Sequence, residues 1–487
     1  MNNEQKALFI IFGGTGDLAK RKLYPSLFRL YQKGYLQNKF AVIGTARREW
    51  SDEHYRNVVK ESIKDLYLSE KVADDFVSHF YYQAHHVSDV EHYKTLQKLA
   101  DELDKKYALC GNRLFYLAMS PRFFGEISRY LKTENIVTDH GYNRLIIEKP
   151  FGRDLASAQI LNKEIEKYFP EESVFRIDHY LGKEMIQNIS AIRFGNNIFS
   201  ALWNNRYIDN IQITLSEALG VEERAGYYET AGALRDMVQN HILQIVALLT
   251  MNAPISFNDV DIRREKISAL KALKVYSTPE EINENFVRGQ YAGLGDMKGY
   301  REEKDTAEDS NIETFVAGKL YVDNMNFSDV PIYIRTGKRM AVKTTRIDIV
   351  FKQVPTNIFK DSGMQANMLT INVDPQEGLN LRINAKEVKP GFHTESINLS
   401  HLHDIETKEN IPEAYEKLLL DALLGDATNF THWEEVNYSW RFVDAIRHVW
   451  DLEPADFPNY LPGTMGPKCS DELLAKDGNH WEFNPVQ

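Results

Sequence analysis

Apolar positions along the chain follow two rhythms, and the change between them divides the molecule. In the first third, short apolar runs alternate with stretches at helical spacing. The run ALFIIF (7–12) is compact and ends in glycines. The following segment carries Leu23, Leu27 and Leu30 one helical turn apart, with Gly34 as a C-terminal stop. Pro25 falls inside that pattern and predicts a kink or a restart. Then come FAVIGTA (40–46), a long charged helical region, NRLFYLAM (112–119), a helix after SPRFF (120–124), and RLIIEKP (144–150). Strand and helix signals in alternation predict a parallel, doubly wound sheet.

After about residue 177 the rhythm changes. Helical spacing runs through 183–193 and 230–250. Strand-like runs then follow in series: IYIRTG (332–337), RIDIVFK (346–352), MLTINV (368–373) and LNLRINA (379–385). With few helices between them, they predict an antiparallel sheet. Two helical stretches, 412–426 and 439–450, are placed as its cover. An open α/β domain over 1–177 and an α+β domain over 178–487 is the predicted architecture. Residues 253–310 are charged and weakly patterned, and no element is assigned there.

A chain of 487 residues exceeds what one core usually serves, which fits two domains. Its 58 Lys and Arg stand against 70 Asp and Glu, a net charge of −12. That balance argues against general nucleic-acid binding and leaves room for a local basic pocket around a small anion. The two cysteines, Cys110 and Cys469, form neither a disulfide framework nor a metal site, and point to a reducing cytosol. The apolar run near the N-terminus is too short for a signal peptide. The greasiest stretch, HILQIVALLTM (241–251), falls below the ~20 residues of a membrane span.

The first candidate for chemistry is Gly14-Thr15-Gly16-Asp17-Leu18-Ala19, a G-x-G-x-x-A turn between the first strand and a helix. Such a turn lets backbone N–H groups approach a pyrophosphate at the helix start. The alternative is a tight turn without a ligand. The second strand ends in GTARRE, with Arg47 and Arg48 where an NAD site usually carries an acid. A guanidinium suits a 2′-phosphate, so NADP is favoured, and Glu49 keeps NAD possible.

Four further features carry two readings each. Glu148-Lys149-Pro150 ends a strand facing the ligand crevice, or is a solvated strand end. RIDHYLGKE (176–184) places His179, Tyr180 and Lys183 at the start of a helix, as an anion site or a plain polar entry. On an α-helical projection His241 shares a face with Leu234, Val238 and Ile245, as a core histidine or a shielded base. RTGKRMAVKTTR (335–346) carries Lys338 and Lys343, as a solvated hairpin or a set of donors over a sugar phosphate. His85 and His86 are adjacent, point apart if extended, and make a poor metal pair; no metal site is assigned.

Taken together, GGTGDLAKRKLYP, EKPFG, RIDHYLGKE, ERAGYYETAGALRDMVQNH and RTGKRMAVKTTRIDIVFK resemble the glucose-6-phosphate dehydrogenase family, in order over nearly the whole chain. The resemblance implies a Rossmann domain joined to an α+β domain whose large, mainly antiparallel sheet forms a homodimer interface. It implies oxidation of β-D-glucose 6-phosphate at C1 to the 6-phosphogluconolactone, with hydride passing to NADP in the cytoplasm, at the entry to the pentose phosphate pathway. By position, His241 corresponds to the general base and Asp178 to its carboxylate partner. His179, Tyr180 and Lys183 correspond to the phosphate cradle. Glu217, Asp236, Lys338 and Lys343 correspond to sugar and phosphate contacts, and Lys149 to a lysine between substrate and cofactor. Gly14, Thr15, Gly16, Asp17, Leu18 and Arg47 fall on the cofactor side. So do His86 and Val87, where relatives often carry Asp-Val. Neither nucleic acid nor membrane is implied as a partner. The competing readings are a silent NADP-binding sensor and a dehydrogenase of another sugar phosphate.

Overall fold

The computed structural model describes residues 4–359, 363–403 and 412–486. They fall into two compact units. The first comprises Met1–Gly182, Ser256–Arg263 and Pro412–Asn437, and the second Lys183–Ile255, Arg264–Ile411 and Tyr438–Gln487. The first unit runs on through Gly182, and two later segments return to it.

In the first unit, six strands form a parallel sheet: β1 (Ala7–Phe12), β2 (Phe40–Ala46), β3 (Phe80–Ala84), β4 (Arg113–Leu117), β5 (Asn143–Ile147) and β6 (Val174–Ile177). Their order is β6-β5-β4-β1-β2-β3, the doubly wound arrangement with its switch point at β1. Every residue of β1 and β4 is buried, as helices on both faces require. The disturbance at Pro25 takes the form of a restart. A π-helical turn, Ala19–Leu23, passes into the α-helix Tyr24–Gln32 with the proline in its first turn, where no N–H is needed.

The helix Ala414–Leu424 was expected to cover the antiparallel sheet, but it belongs to the first unit. Leu418, Leu419, Ala422 and Leu423 join the core built by Leu27, Leu30 and Phe28. Arg144 donates to the carbonyls of Ala422 and Leu423, both at 2.7 Å, and so closes the helix's C-terminus. The chain then adds a two-residue strand, Phe430–Thr431, antiparallel to β6.

The second unit holds an eight-stranded sheet: β7 (Ile208–Ser216), β8 (Phe286–Gly289), β9 (Phe315–Leu320), β10 (Ile332–Gly337), β11 (Thr344–Phe351), β12 (Met368–Asp374), β13 (Gly378–Lys386) and β14 (Thr394–Leu402). The order is β14-β13-β12-β11-β7-β10-β9-β8. Among the described residues, β7 and β10 are the parallel pair and every other pairing is antiparallel. Residues 253–310, unassigned from sequence, contain the helices Asp259–Lys271 and Pro279–Asn285 and strand β8. Among the described residues, no helix is long and apolar enough to cross a membrane.

Candidate active site

Parallel pairing brings the first unit's candidate residues to one edge of its sheet. Phe12 of β1 aligns with Thr45 of β2 and Leu117 of β4, and Ala46 of β2 with Ala84 of β3. The glycine turn, Arg47 and His86-Val87 therefore leave from the same edge. Within the turn, Gly13 and Gly14 N–H donate to Thr45 O at 2.9 and 3.0 Å, and Gly16 N–H to Gly13 O at 2.9 Å. Gly13, one residue before the predicted motif, supplies the unusual backbone at φ +98°. A Cβ there would lie 2.3 Å from Ala118 O, so only glycine fits. The doubled glycine in the sequence was its signal. The buried Tyr24 hydroxyl donates to Gly14 O and lies 3.0 Å from Tyr55 Oη, fixing the turn from below. Burial pushes the Tyr24 phenol well up from its ordinary range. Thr15 is half-buried, Leu18 packs partly against the core, and exposed Asp17 pairs with Arg21 at 3.4 Å. Arg47 is exposed just past β2.

His85 and His86 do part, as their adjacency required: His85 is buried and His86 exposed. The His86 N–H donates to His92 Nδ1 at 2.8 Å, and Val87 is buried.

Farther along the same edge, β5 delivers Glu148 and Lys149, and β6 delivers Asp178. The Lys149–Pro150 peptide is cis. Glu148 accepts from Tyr116 Oη at 2.5 Å and also engages Tyr415. Burial pushes its carboxyl up, against the pull of both tyrosines and Lys149. Tyr415 stacks on His179 with ring centroids 6.4 Å apart and planes 10° apart. Asp178 is 2% exposed, and its Oδ1 accepts the Tyr180 N–H at 3.0 Å, which folds the chain back after β6. His179 and Tyr180 are half-buried beside it.

In the second unit, Lys183 stands at the N-cap position of the helix Glu184–Gly195, without a side-chain capping hydrogen bond. It lies 3.5 Å from Asp374 Oδ2, which Lys343 approaches to 3.0 Å. Burial lowers the Lys183 pKa from its usual value, and Asp374 opposes that shift. Glu217 follows β7 and Lys338 follows β10, and they form an ion pair at 2.5 Å. Lys338 lies 5.5 Å from the ring centroid of buried Tyr228.

Asp236 and His241 occupy Leu234–Ile242, a π-helical segment and not the α-helix assumed in the projection. A π turn is wider, with i→i+5 bonds, so residues five apart return to nearly the same face. His241 is fully buried and Asp236 is 4% exposed. Tyr227 Oη donates to Asp236 Oδ1 at 3.3 Å. Tyr227, Tyr228 and Asp374 were not singled out from the sequence. The tyrosine pair lay inside a quoted motif, whereas Asp374 carried no local signal.

Family models describe both parts of this chain. Residues 10–188 match the glucose-6-phosphate dehydrogenase NAD binding domain, and 190–482 the glucose-6-phosphate dehydrogenase C-terminal domain. The chain is 53% identical over 487 residues to a glucose-6-phosphate 1-dehydrogenase of Bacillus subtilis, covering 99% of each. It is 50% identical to the Leuconostoc mesenteroides enzyme of the same name, covering 99% of this chain and 100% of that one. Among solved structures, a glucose-6-phosphate dehydrogenase in complex with its substrate glucose-6-phosphate superposes with a TM-score of 0.90 at 36% identity. That alignment covers 99% of this chain and 100% of the other.

Proposed function

The chain belongs to the glucose-6-phosphate dehydrogenase family, and from that membership we propose the residue roles that follow. The protein oxidises glucose 6-phosphate, at C1 to the lactone, and reduces NADP.

His241 removes the proton of the C1 hydroxyl. The observation that carries this role is its buried seat in a π-helical segment, a form frequent at functional sites. Asp178 orients that imidazole and stabilises its charged form. His179, Tyr180 and Lys183 bind the substrate phosphate, a remote handle that positions C1. Glu217, Asp236, Lys338 and Lys343 bind the sugar and its phosphate end. Lys149 stands between substrate and cofactor.

The glycine turn fits a dinucleotide. The positive φ of Gly13 and the closeness of Gly14 to Gly44, 3.0 Å from a would-be Cβ, leave backbone and no side chain facing the helix start. Gly14, Thr15, Gly16, Asp17 and Leu18 hold the pyrophosphate, Arg47 a 2′-phosphate, and His86 and Val87 the adenine edge. Bound NADP supplies the hydride acceptor. NAD is a second acceptor, since Arg47 attracts the 2′-phosphate without excluding its absence.

The working form is a homodimer in the cytoplasm. The outer strand β14 is largely exposed, with Leu399 and Leu402 open to solvent. Such an edge favours pairing with a second copy. Both cysteines are free, in keeping with a reducing compartment.

Growth of reduced-NADP absorbance on adding glucose 6-phosphate tests the activity, and no turnover with either nicotinamide would refute it. Free glucose should be a poor substrate, because it lacks the phosphate handle.

A further inference from the structure

The segment that carries Asp236 and His241 is π-helical, a form found mostly as short insertions because its hydrogen bonding is less favourable than the α form. Something outside the segment must hold that register. The residues around its first turn identify a candidate.

The preceding helix breaks at Gly232, whose backbone is non-helical at φ 63°, ψ 174°. Directly after the break, the Ala233 N–H donates to the carbonyl of Glu313 at 2.9 Å, and the Leu234 N–H to Glu313 Oε1 at 3.0 Å. One residue thus satisfies two of the donors that a helix start leaves open. A Cβ at position 232 would lie 2.4 Å from Glu313 Oε1, so the carboxylate reaches this place only past a glycine. Its other oxygen accepts from Arg447 Nη1 at 2.7 Å, and Arg447 also binds Asp451 through Nε at 2.6 Å. Glu313 is fully buried and Arg447 is 4% exposed.

A buried ion pair of this kind is costly to desolvate and adds little net stability over apolar packing, so stability alone does not account for it. It does fix an oxygen in space. The carbonyl of the next residue, Thr314, accepts the Lys338 N–H at 3.0 Å, so the paired ends of β9 and β10 hold Glu313 and Lys338 in fixed relation.

We propose that Glu313, clamped by Arg447, is a positioning residue: it sets the register in which Asp236 and His241, five apart, face the same way. The inference rests on the roles given to those two residues above.

The test compares Glu313→Gln, Glu313→Leu, Glu313→Gln/Arg447→Met and, as a reference, His241→Asn. Each is measured for kcat, for KM toward glucose 6-phosphate and NADP, and for the binding stoichiometry of glucose 6-phosphate and of NADP, which count the folded second and first units. Glu313→Gln turns an amide N–H2 toward either Arg447 or the Leu234 N–H. It should lower kcat by about tenfold or more at unchanged stoichiometry and unchanged KM for NADP. Removing the cation in the double variant lets the glutamine oxygen face Leu234 and should recover most of that loss. Glu313→Leu, with no acceptor, should show the loss uncorrected.

Wild-type kcat in Glu313→Gln would overturn the proposal even if the leucine variant failed to fold. So would a double variant no better than the single one, or losses matched by falling stoichiometry. Full turnover by His241→Asn would overturn the assignment of the base itself, a failure the Glu313 series reports separately.

Discussion

Glu217 and Lys338 emerge side by side from the parallel pair of the second unit's sheet, Nζ 2.5 Å from Oε2. The register explains it: Ser216 ends β7 opposite Gly337, the end of β10, so the next residue of each strand leaves at the same point. The Lys338 side chain is 8% exposed and that of Glu217 37%, so the lysine's charge is poorly hydrated and the carboxylate serves as its counter-ion. A charged hydrogen bond to a sugar oxygen from such a donor is worth about 1.5–3 kcal/mol. Lys338→Met should therefore raise KM for glucose 6-phosphate about tenfold or more and leave KM for NADP unchanged. Steady-state kinetics with each substrate varied in turn will check it. An unaltered KM for the sugar phosphate would remove Lys338 from the site.

His241 and His179 should give opposite phenotypes. His241→Asn removes the proposed base and should cut kcat by about 10²–10⁴-fold with KM for glucose 6-phosphate nearly unchanged. His179→Asn should mainly raise that KM, because the role proposed for His179, in the turn after β6, is to bind the phosphate and not to move a proton. The same kinetic assay separates the two. Swapped phenotypes would reverse the assignments.

The parallel sheet was legible because fully buried strands read as continuous apolar runs between helical stretches. Strands β3 and β6 have no such isolated run: FYYQA and VFRI are short and carry polar residues. The chemistry-bearing motifs were legible because glycine turns and clustered charges are local. Two things were not. The helix Ala414–Leu424 has an apolar face that fits any core, and nothing local says which unit it joins. The wide turn at Leu234–Ile242 depends on Gly232 and the distant Glu313, so a projection assuming an α-helix put His241 on a purely apolar face.

His85 should make the protein acid-sensitive. It is 2% exposed, neither ring nitrogen has a hydrogen-bond partner among the described residues, and it packs edge-on against Phe12 and Tyr93. Burial, reinforced by His92 and opposed by Asp89, lowers its pKa from 6.5 to about 4. Between those values the unfolded chain binds a proton that the folded protein does not, so stability falls as pH drops from 6.5 toward 4. The loss should reach roughly 3 kcal/mol at pH 4 and then level off. His85→Phe keeps the aromatic packing and should flatten this window relative to wild type. Urea unfolding at a series of pH values will show whether the difference between the two proteins grows on acidification, and a constant difference would clear His85.

Leu418 tests where the C-terminal helix belongs. It is 1% exposed within the first unit's core, on a helix packed against Tyr24–Gln32. Lys33 holds buried Glu416 on the same helix at 2.6 Å. Leu418→Ala removes a buried isobutyl group next to the element that follows the glycine turn, and should cost about 2–5 kcal/mol. If the helix served the antiparallel sheet instead, the cofactor-binding unit would not feel the change. NADP binds the first unit, so its protection against unfolding reports on that unit alone. In the variant, the melting step that NADP shifts should move to lower temperature, while affinity for NADP well below the transition stays near wild type. A variant whose NADP-sensitive transition is unmoved would place the helix outside this core.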